Sequence, residues 1–269
     1  MTDINARFEG SIPEAYDRYL GPVLFQPYAD DMARRIARHA PVRVLEIACG
    51  TGIVTKALLT ALPGAGIVAT DLNDSMIDYA RSRLPVTGRL EWRQADACAL
   101  PFEAARFDAV AFQFGLMFVP DKALAMREAR RVLRPGGHLV FSVWDELACN
   151  PIGQIAHETI TSFFPDDPPD FYRVPFGLND HALIGALAAN AGFGDIVLDT
   201  VKFEARSTTA LDAATGLVKG NPVSAAIRER GVTDPSPIIQ AVAGALARAG
   251  GGAPFHVSMQ AIVVSARAA

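Results

Sequence analysis

A turn of small residues, Ala48-Cys49-Gly50-Thr51-Gly52, and three carboxylates, Glu46, Asp71 and Asp96, could act together on one ligand. Glycines at 50 and 52 permit backbone torsions and a closeness of approach that a side chain would block. The amides that open the following helix then point at whatever binds there. Asp71 stands 19 residues after Gly52, at the end of the next apolar run. In that position a carboxylate can accept from both hydroxyls of an adenosine ribose. The pattern reads as a nucleoside site.

Two ligand classes share this geometry. Dinucleotide binders want Gly-x-Gly-x-x-Gly, so that the helix packs close and the pyrophosphate sits on its amino end. Here the third position is Thr55. Glu46, inside the turn, would repel a pyrophosphate but attract the ammonium of a methionine moiety, directly or through water. The charge pattern favours S-adenosylmethionine over NAD.

These residues need rigid elements to hold them. From Val42 to Trp144, short β-branched or apolar runs alternate with helix-period segments, as in a parallel sheet covered by helices. Strands are expected at 42–48, 66–70, 89–94, 107–113 and 138–144. Helices are expected at 53–62, 74–83 and 121–133, entered through Asn73 and Pro120-Asp121. Before this core, Pro13 to His39 reads as mostly helical, interrupted by Gly21-Pro22 and Pro27. After it come an amphipathic stretch, Ile152 to Phe164, and the loop Pro165-Asp166-Asp167-Pro168-Pro169, which neither helix nor strand would tolerate. A helix at about 180–191 ends at Gly192, suited to a left-handed turn, and strands follow at 195–205 and 255–266. Between them, 207–250 carries two helices, about 209–219 and 236–249, where a hairpin would need only a few residues.

The expected fold is α/β: a doubly wound, Rossmann-like sheet of seven strands, mostly parallel with the last antiparallel, plus a helical cap. The expected parts are an amino-terminal helical cap segment (1–40), the nucleoside-binding core (41–145), an insertion or lid (146–180) and a carboxyl-terminal part of the core with a helical insertion (181–269).

Several motifs in order resemble the class I S-adenosylmethionine-dependent methyltransferases, in the style of the ubiquinone and menaquinone biosynthesis subgroup. Glu46 to Gly52 is similar to their first motif, and Asp71-Leu72-Asn73-Asp74-Ser75-Met76 to their second, in which the acid holds the ribose and Met76 would pack on the adenine. Ala95-Asp96-Ala97 resembles the segment whose Asp accepts from the adenine amino group. Phe107-Asp108-Ala109-Val110 to Phe118, and Leu133 to Val140, match the fourth strand and the turn into the fifth. The resemblance covers about residues 40–145. It implies cofactor contacts from Glu46, Ala48, Gly50, Thr51, Gly52, Asp71, Leu72, Met76, Asp96, Ala97 and Gln113. The family usually has glycine where this chain has Ala48; alanine tolerates ordinary negative φ, so the turn is expected to keep its shape.

Methyl transfer from a sulfonium needs alignment and exclusion of water more than covalent help, and no catalytic base stands out. Gln113 closes an apolar strand, and a polar amide there needs a partner. Acceptor contacts are expected from Tyr16, Tyr19, Phe114, Met117, Asp145 and His157. Phe25, Tyr28, Phe163, Phe164, Phe171 and Tyr172 are further candidates to roof an apolar pocket. No clear metal-ligand cluster is visible at that edge, so transfer is expected to be metal-independent.

Half of the residues are apolar and a fifth charged, with net charge −4, which is ordinary globular usage without a field that draws nucleic acid. Cys49, Cys98 and Cys149 are scattered and lack CxxC spacing, against a disulfide framework or zinc. The first ten residues lack a signal-peptide run, and no apolar stretch reaches the ~20 residues of a membrane span. The expected setting is the cytoplasm, and the expected partners are a small-molecule methyl acceptor and, at most, a second copy in a homodimer. The rival readings are an NAD-dependent oxidoreductase, opposed by Thr55 and Glu46, and an inactive methyltransferase-like binding protein, opposed by the joint presence of Glu46, Gly50, Gly52, Asp71 and Asp96.

Overall fold

The computed structural model describes residues 8, 10, 12–84 and 87–269. The polar amino-terminal run read above for the absence of a signal lies mostly outside them. The helix former spacing before the core produces a continuous helical path: α1 (Ile12–Ala15), a π-helical segment (Tyr16–Phe25) and α2 (Gln26–Ala37). The interruption expected at Gly21-Pro22 is absorbed by this wider winding. Proline has no N–H to complete an α-helical ladder, and at Gly21 a Cβ would stand 3.1 Å from Ile53 Cδ1, so the backbone there runs close to the Ile53 side chain. Pro27 falls in the first turn of α2, where its missing N–H costs nothing.

The core alternates β1 (Arg43–Ile47), α3 (Ile53–Ala61), β2 (Gly66–Asp71), α4 (Asp74–Arg83), β3 (Leu90–Gln94), β4 (Phe107–Gln113), α5 (Lys122–Val132) and β5 (Leu133–Trp144). The chain continues through α6 (Pro151–Thr161), α7 (His181–Asn190), β6 (Phe193–Ser207), α8 (Ala210–Lys219), α9 (Val223–Glu229), α10 (Ser236–Gly250) and β7 (Phe255–Ala268). The seven strands form one sheet in the order β3-β2-β1-β4-β5-β7-β6. The first five run parallel, and β7 is antiparallel to both neighbours.

Central strands such as β1 are buried on both faces, hence their unbroken apolar runs. On one face α2 and α3 present Met32, Ile36, Val54 and Leu58 to Val44, Ile67, Ala109 and Val140. Fully burying each such side chain contributes roughly 1.5–3 kcal/mol. On the other face Met126 and Val132 of α5 and Ile184 of α7 join a cluster with Val110, Phe112 and Phe141. Asp121 caps α5 by accepting from the Leu124 amide at 2.8 Å, as its position before the helix suggested. Gly192 takes φ +91° just beyond α7.

β5 starts five residues earlier than expected, because Leu133 already pairs with Phe107 before an irregularity restores the register at Ala109↔His138. Helix α9 was not expected; its seven residues are too few to show a period. Helix α8 packs on the π-helical segment, and α10 on α8 and α6. The amino-terminal helices and the two later insertions therefore touch one another beside the sheet's carboxyl edge. The chain leaves β1 toward β2 and β3 and returns to β4 on the other side, so the carboxyl ends of β1 and β4 diverge into a crevice.

Candidate functional site

A cavity of about 570 Å³ occupies that crevice, within the roughly 300–1,000 Å³ that encloses a drug-sized molecule. Its floor is made of strand ends, Ile47, Asp71, Gln113 and Trp144, and its far walls come from the helical layer, including Phe171, Tyr172, Leu217 and Asn221.

The turn after β1 forms one end. The Cys49 amide donates to Thr70 O at 2.8 Å and the Gly50 amide to Asp71 Oδ2 at 2.8 Å. Asp71 Oδ1 accepts from the Asn73 amide at 2.9 Å. Oδ1 also accepts from Asn73 Nδ2 at 3.4 Å, so the spare acceptor capacity of the carboxylate lies mainly on Oδ2. Burial pushes the Asp71 carboxyl above its ordinary range, while the Asn73 and Gly50 amides oppose that shift. Gly50, at φ +54°, has open space where a Cβ would stand. Gly52, at φ +85°, is packed instead: a Cβ there would lie 2.9 Å from Leu84 Cδ1.

Ala48 corrects one expectation. It does not adopt negative φ but takes +55°, the left-handed conformation that glycine adopts freely and that costs an L-residue roughly 1–2 kcal/mol. The turn keeps its shape because the neighbourhood makes room for the methyl group. Gly115 stands opposite, and a Cβ on it would fall 2.6 Å from the Ala48 Cβ.

Glu46 also behaves differently from its reading. It is 2 % exposed and does not line the cavity. Oε2 accepts from the Thr55 hydroxyl at 2.6 Å, and Oε1 is buried without a partner. Desolvation raises its pKa to about 8, against the opposing Thr55 hydrogen bond. At neutral pH the side chain is therefore mostly the neutral acid, joined to the first turn of α3 and not to the cavity.

Of the other cofactor candidates, Ala48, Gly50, Asp71, Leu72, Met76, Asp96, Ala97 and Gln113 line the cavity. Thr51 lines a small adjoining recess, with its Oγ1 buried and unpartnered. Gly52 lies behind the turn. Asp96 holds its own loop by accepting from the Cys98 amide at 2.8 Å. Gln113 Nε2 donates to Phe25 O at 3.3 Å, leaving Oε1 buried and unpartnered.

Of the acceptor candidates, Tyr16, Phe114 and Met117 line the cavity, as do Phe25, Phe171 and Tyr172. Tyr19, Tyr28, Asp145, His157, Phe163 and Phe164 do not. Asp145 is instead occupied by Gln260 Nε2 at 2.6 Å and the Glu146 amide at 2.8 Å. His157 has a buried, unpartnered Nδ1 and sits 6.4 Å, ring to ring, from Tyr172. Phe114 takes φ +49°, an outlier for a bulky residue, held by stacking on Trp144 at 4.0 Å and edge-on contact with Tyr28 at 5.2 Å. Phe25 stacks on Tyr16 at 4.6 Å. The result is an aromatic chamber joined to a carboxylate-lined end.

Asp71, Asp96 and Asp121 face this cavity, and no lysine, arginine or histidine among the described residues lines it. Asp121, Asn150, Phe176, Asn221 and Met259 also line it and were not read from sequence as site residues. They lie on insertions, turns or the last strand, where no motif marks them. Among the described residues no three metal-ligating side chains cluster, and no helix is long and apolar enough to cross a membrane.

Residues 45–141 match the family described as "Methyltransferase domain". Over 140 residues the chain is 38% identical to a demethylmenaquinone methyltransferase of Clavibacter sepedonicus, covering 51% of this chain and 56% of that protein. Over 123 residues it is 42% identical to a ubiquinone/menaquinone biosynthesis C-methyltransferase of Hahella chejuensis, covering 44% and 49%. The chain thus spans about half the length of these relatives. Among solved structures, Haemonchus contortus phosphoethanolamine N-methyltransferase 2, in complex with S-adenosyl-L-methionine, superposes with TM-score 0.63 at 16% identity, over 99% of this chain and 60% of that one; at that identity the likeness is one of fold. Residues 45–141 thus match a methyltransferase domain, and over that span the chain is similar to the ubiquinone and menaquinone methyltransferases.

Proposed function

We propose that this protein transfers a methyl group from S-adenosylmethionine to a small, largely apolar acceptor with an aromatic ring. The observation that carries the reading is the charge of the cavity: among the described residues three carboxylates line it and no cationic side chain does. A pyrophosphate would be repelled there, whereas a sulfonium and an ammonium would be attracted. The residues present fit such a cofactor. Asp71 offers a carboxylate acceptor for a ribose hydroxyl, Met76 an apolar face and Asp96 an acceptor. Gly50 leaves space, and Gln113 Oε1 and Thr51 Oγ1 are buried polar atoms without partners. When bound, the cofactor supplies an electrophilic methyl group.

The protein's part is to align and to exclude water. Phe114, Trp144 and Phe25 form an apolar wall against which a flat ring can lie, and the contact with Gln113 places that wall beside the carboxylate end. In this reading the segments 12–40, 146–180 and 207–250 act as the cap that selects the acceptor, while 41–145 holds the cofactor. Carbon as the methylated atom is supported by the name of the Hahella chejuensis relative, a C-methyltransferase.

Calorimetric titration with S-adenosylhomocysteine and with NAD tests the cofactor, and transfer of label from methyl-labelled S-adenosylmethionine to a panel of phenols, hydroquinones and aromatic amines tests the acceptor. Binding of S-adenosylhomocysteine but not NAD is expected. The reverse preference would overturn the proposal.

A further inference from the structure

The far end of the cavity has a hydrogen-bonding character that its residue types alone do not reveal. Tyr172 and Asn221 both line it, one on the short helical turn before α7 and the other just after α8. The Tyr172 hydroxyl donates to Leu217 O at 2.7 Å. Asn221 Nδ2 lies 3.2 Å from the same carbonyl and 3.4 Å from the Tyr172 oxygen. A carbonyl can only accept, so both orientations are fixed: the tyrosine proton and the amide NH₂ must point at Leu217 O. No hydrogen bond to Asn221 Oδ1 is formed among the described residues, and the Tyr172 oxygen keeps acceptor capacity. All that this pair can offer a ligand is acceptors.

Asn221 is only 8 % exposed and Tyr172 4 %, so what meets them inside a filled cavity is the ligand and not bulk water. A buried acceptor without a donor is penalised. We infer that Asn221, with Tyr172 orienting its amide, is a specificity-determining residue that selects acceptors carrying an O–H or N–H donor and rejects the same skeleton carrying an ether. The aromatic chamber grips the ring, and this pair reads its substituent. The pair lies outside residues 45–141, on the segments that belong to this chain's own cap. The inference rests on the acceptor half of the proposed function.

The test compares 1-naphthol with 1-methoxynaphthalene as probes of the full-length protein loaded with S-adenosylhomocysteine, by calorimetry or saturation-transfer NMR. The expected result is tighter binding of 1-naphthol by about tenfold, the usual weight of one neutral hydrogen bond withheld from a buried partner. Asn221→Ala should bring the two probes to near equality while the affinity for S-adenosylhomocysteine stays unchanged, which a merely structural loss would not do. Tyr172→Phe removes one hydroxyl and should reduce the preference two- to threefold; it decides the matter if Asn221→Ala does not fold. No preference in the wild type, binding of neither probe, or a preference that survives both substitutions would overturn the inference. Failure to bind S-adenosylhomocysteine would instead count against the proposed function, since the probe preference can still be read on the unloaded protein.

Discussion

Replacing Glu46 by glutamine should make the protein more stable at alkaline pH and leave it unchanged near pH 4.5. In the unfolded chain this carboxyl ionises at its ordinary value of 4.5, whereas in the fold burial raises it to about 8. Between these values the unfolded state holds fewer protons than the folded one, so stability falls as pH rises, and the loss is complete above about pH 8. At about 1.4 kcal/mol per pH unit, the penalty is roughly 3 kcal/mol at pH 7 and roughly 5 kcal/mol at pH 9. Glutamine keeps an oxygen to accept from Thr55 and does not ionise. It exchanges one unpartnered polar group at the Oε1 position for another, so the geometry of the turn is preserved. Urea denaturation of both proteins from pH 5 to pH 9 reads the difference directly. Thermal unfolding should show a gap of roughly 10 °C or more at pH 9, at roughly 2–4 °C per kcal/mol. A stability difference that does not change with pH would refute the reasoning, because it would mean that Glu46 titrates alike in both states.

Asp71→Ala should weaken S-adenosylhomocysteine binding by roughly 1.5–3 kcal/mol, the weight of hydrogen bonds to a charged group; unchanged affinity by calorimetry would remove Asp71 from the cofactor site. Gly115→Ala should destabilise by roughly 1–3 kcal/mol, since its Cβ would clash with Phe112 Cε2 and stand 2.6 Å from the Ala48 Cβ. Adding Ala48→Gly should recover part of that loss, and strictly additive effects in chemical denaturation would sink the link between the two residues. His39 and His138 stack with ring centroids 3.5 Å apart, and burial lowers both, helped by Arg38 for the first and by His39, Arg267 and Arg134 for the second, with Asp195 opposing. Their contribution to stability is full above pH 6.5 and declines as pH falls below it, so His138→Gln should lose less stability than the wild type between pH 7.5 and pH 5.5. Equal losses would remove the pair as a source of acid sensitivity.

The strands of the core were legible because a sheet buried on both faces demands unbroken apolar runs, and the intervening helices because their stripes recur at helical spacing. The turn from Ala48 to Gly52 was legible for a similar reason: few residue types can fold that tightly. Its torsions were not. Whether residue 48 turns left-handed is decided partly by Gly115, which is 67 positions away in the chain and visible only once β4 lies beside β1. Glu46 shows the same limit, since a carboxylate beside a ligand turn reads as a ligand group until its contact with Thr55 and its burial are seen. The acceptor half was the least legible. Tyr172 was legible only as one aromatic of an apolar roof and Asn221 not at all, and what they can offer a ligand depends on the backbone carbonyl of a third residue, Leu217.

Strand β7 is the last strand in sequence, yet it sits inside the sheet between β5 and β6. During synthesis β6 is made first but cannot take its place until β7 has emerged and zipped onto β5. One wall of the cavity inherits that delay. Asn150, just past β5, exchanges two hydrogen bonds with the backbone of Gln260, at 2.9 and 3.0 Å, and Met259 supplies part of the wall. A nascent chain can thus bring β1 to β5 together early, while the cavity wall that includes Asn150 and Met259 is completed only with β7.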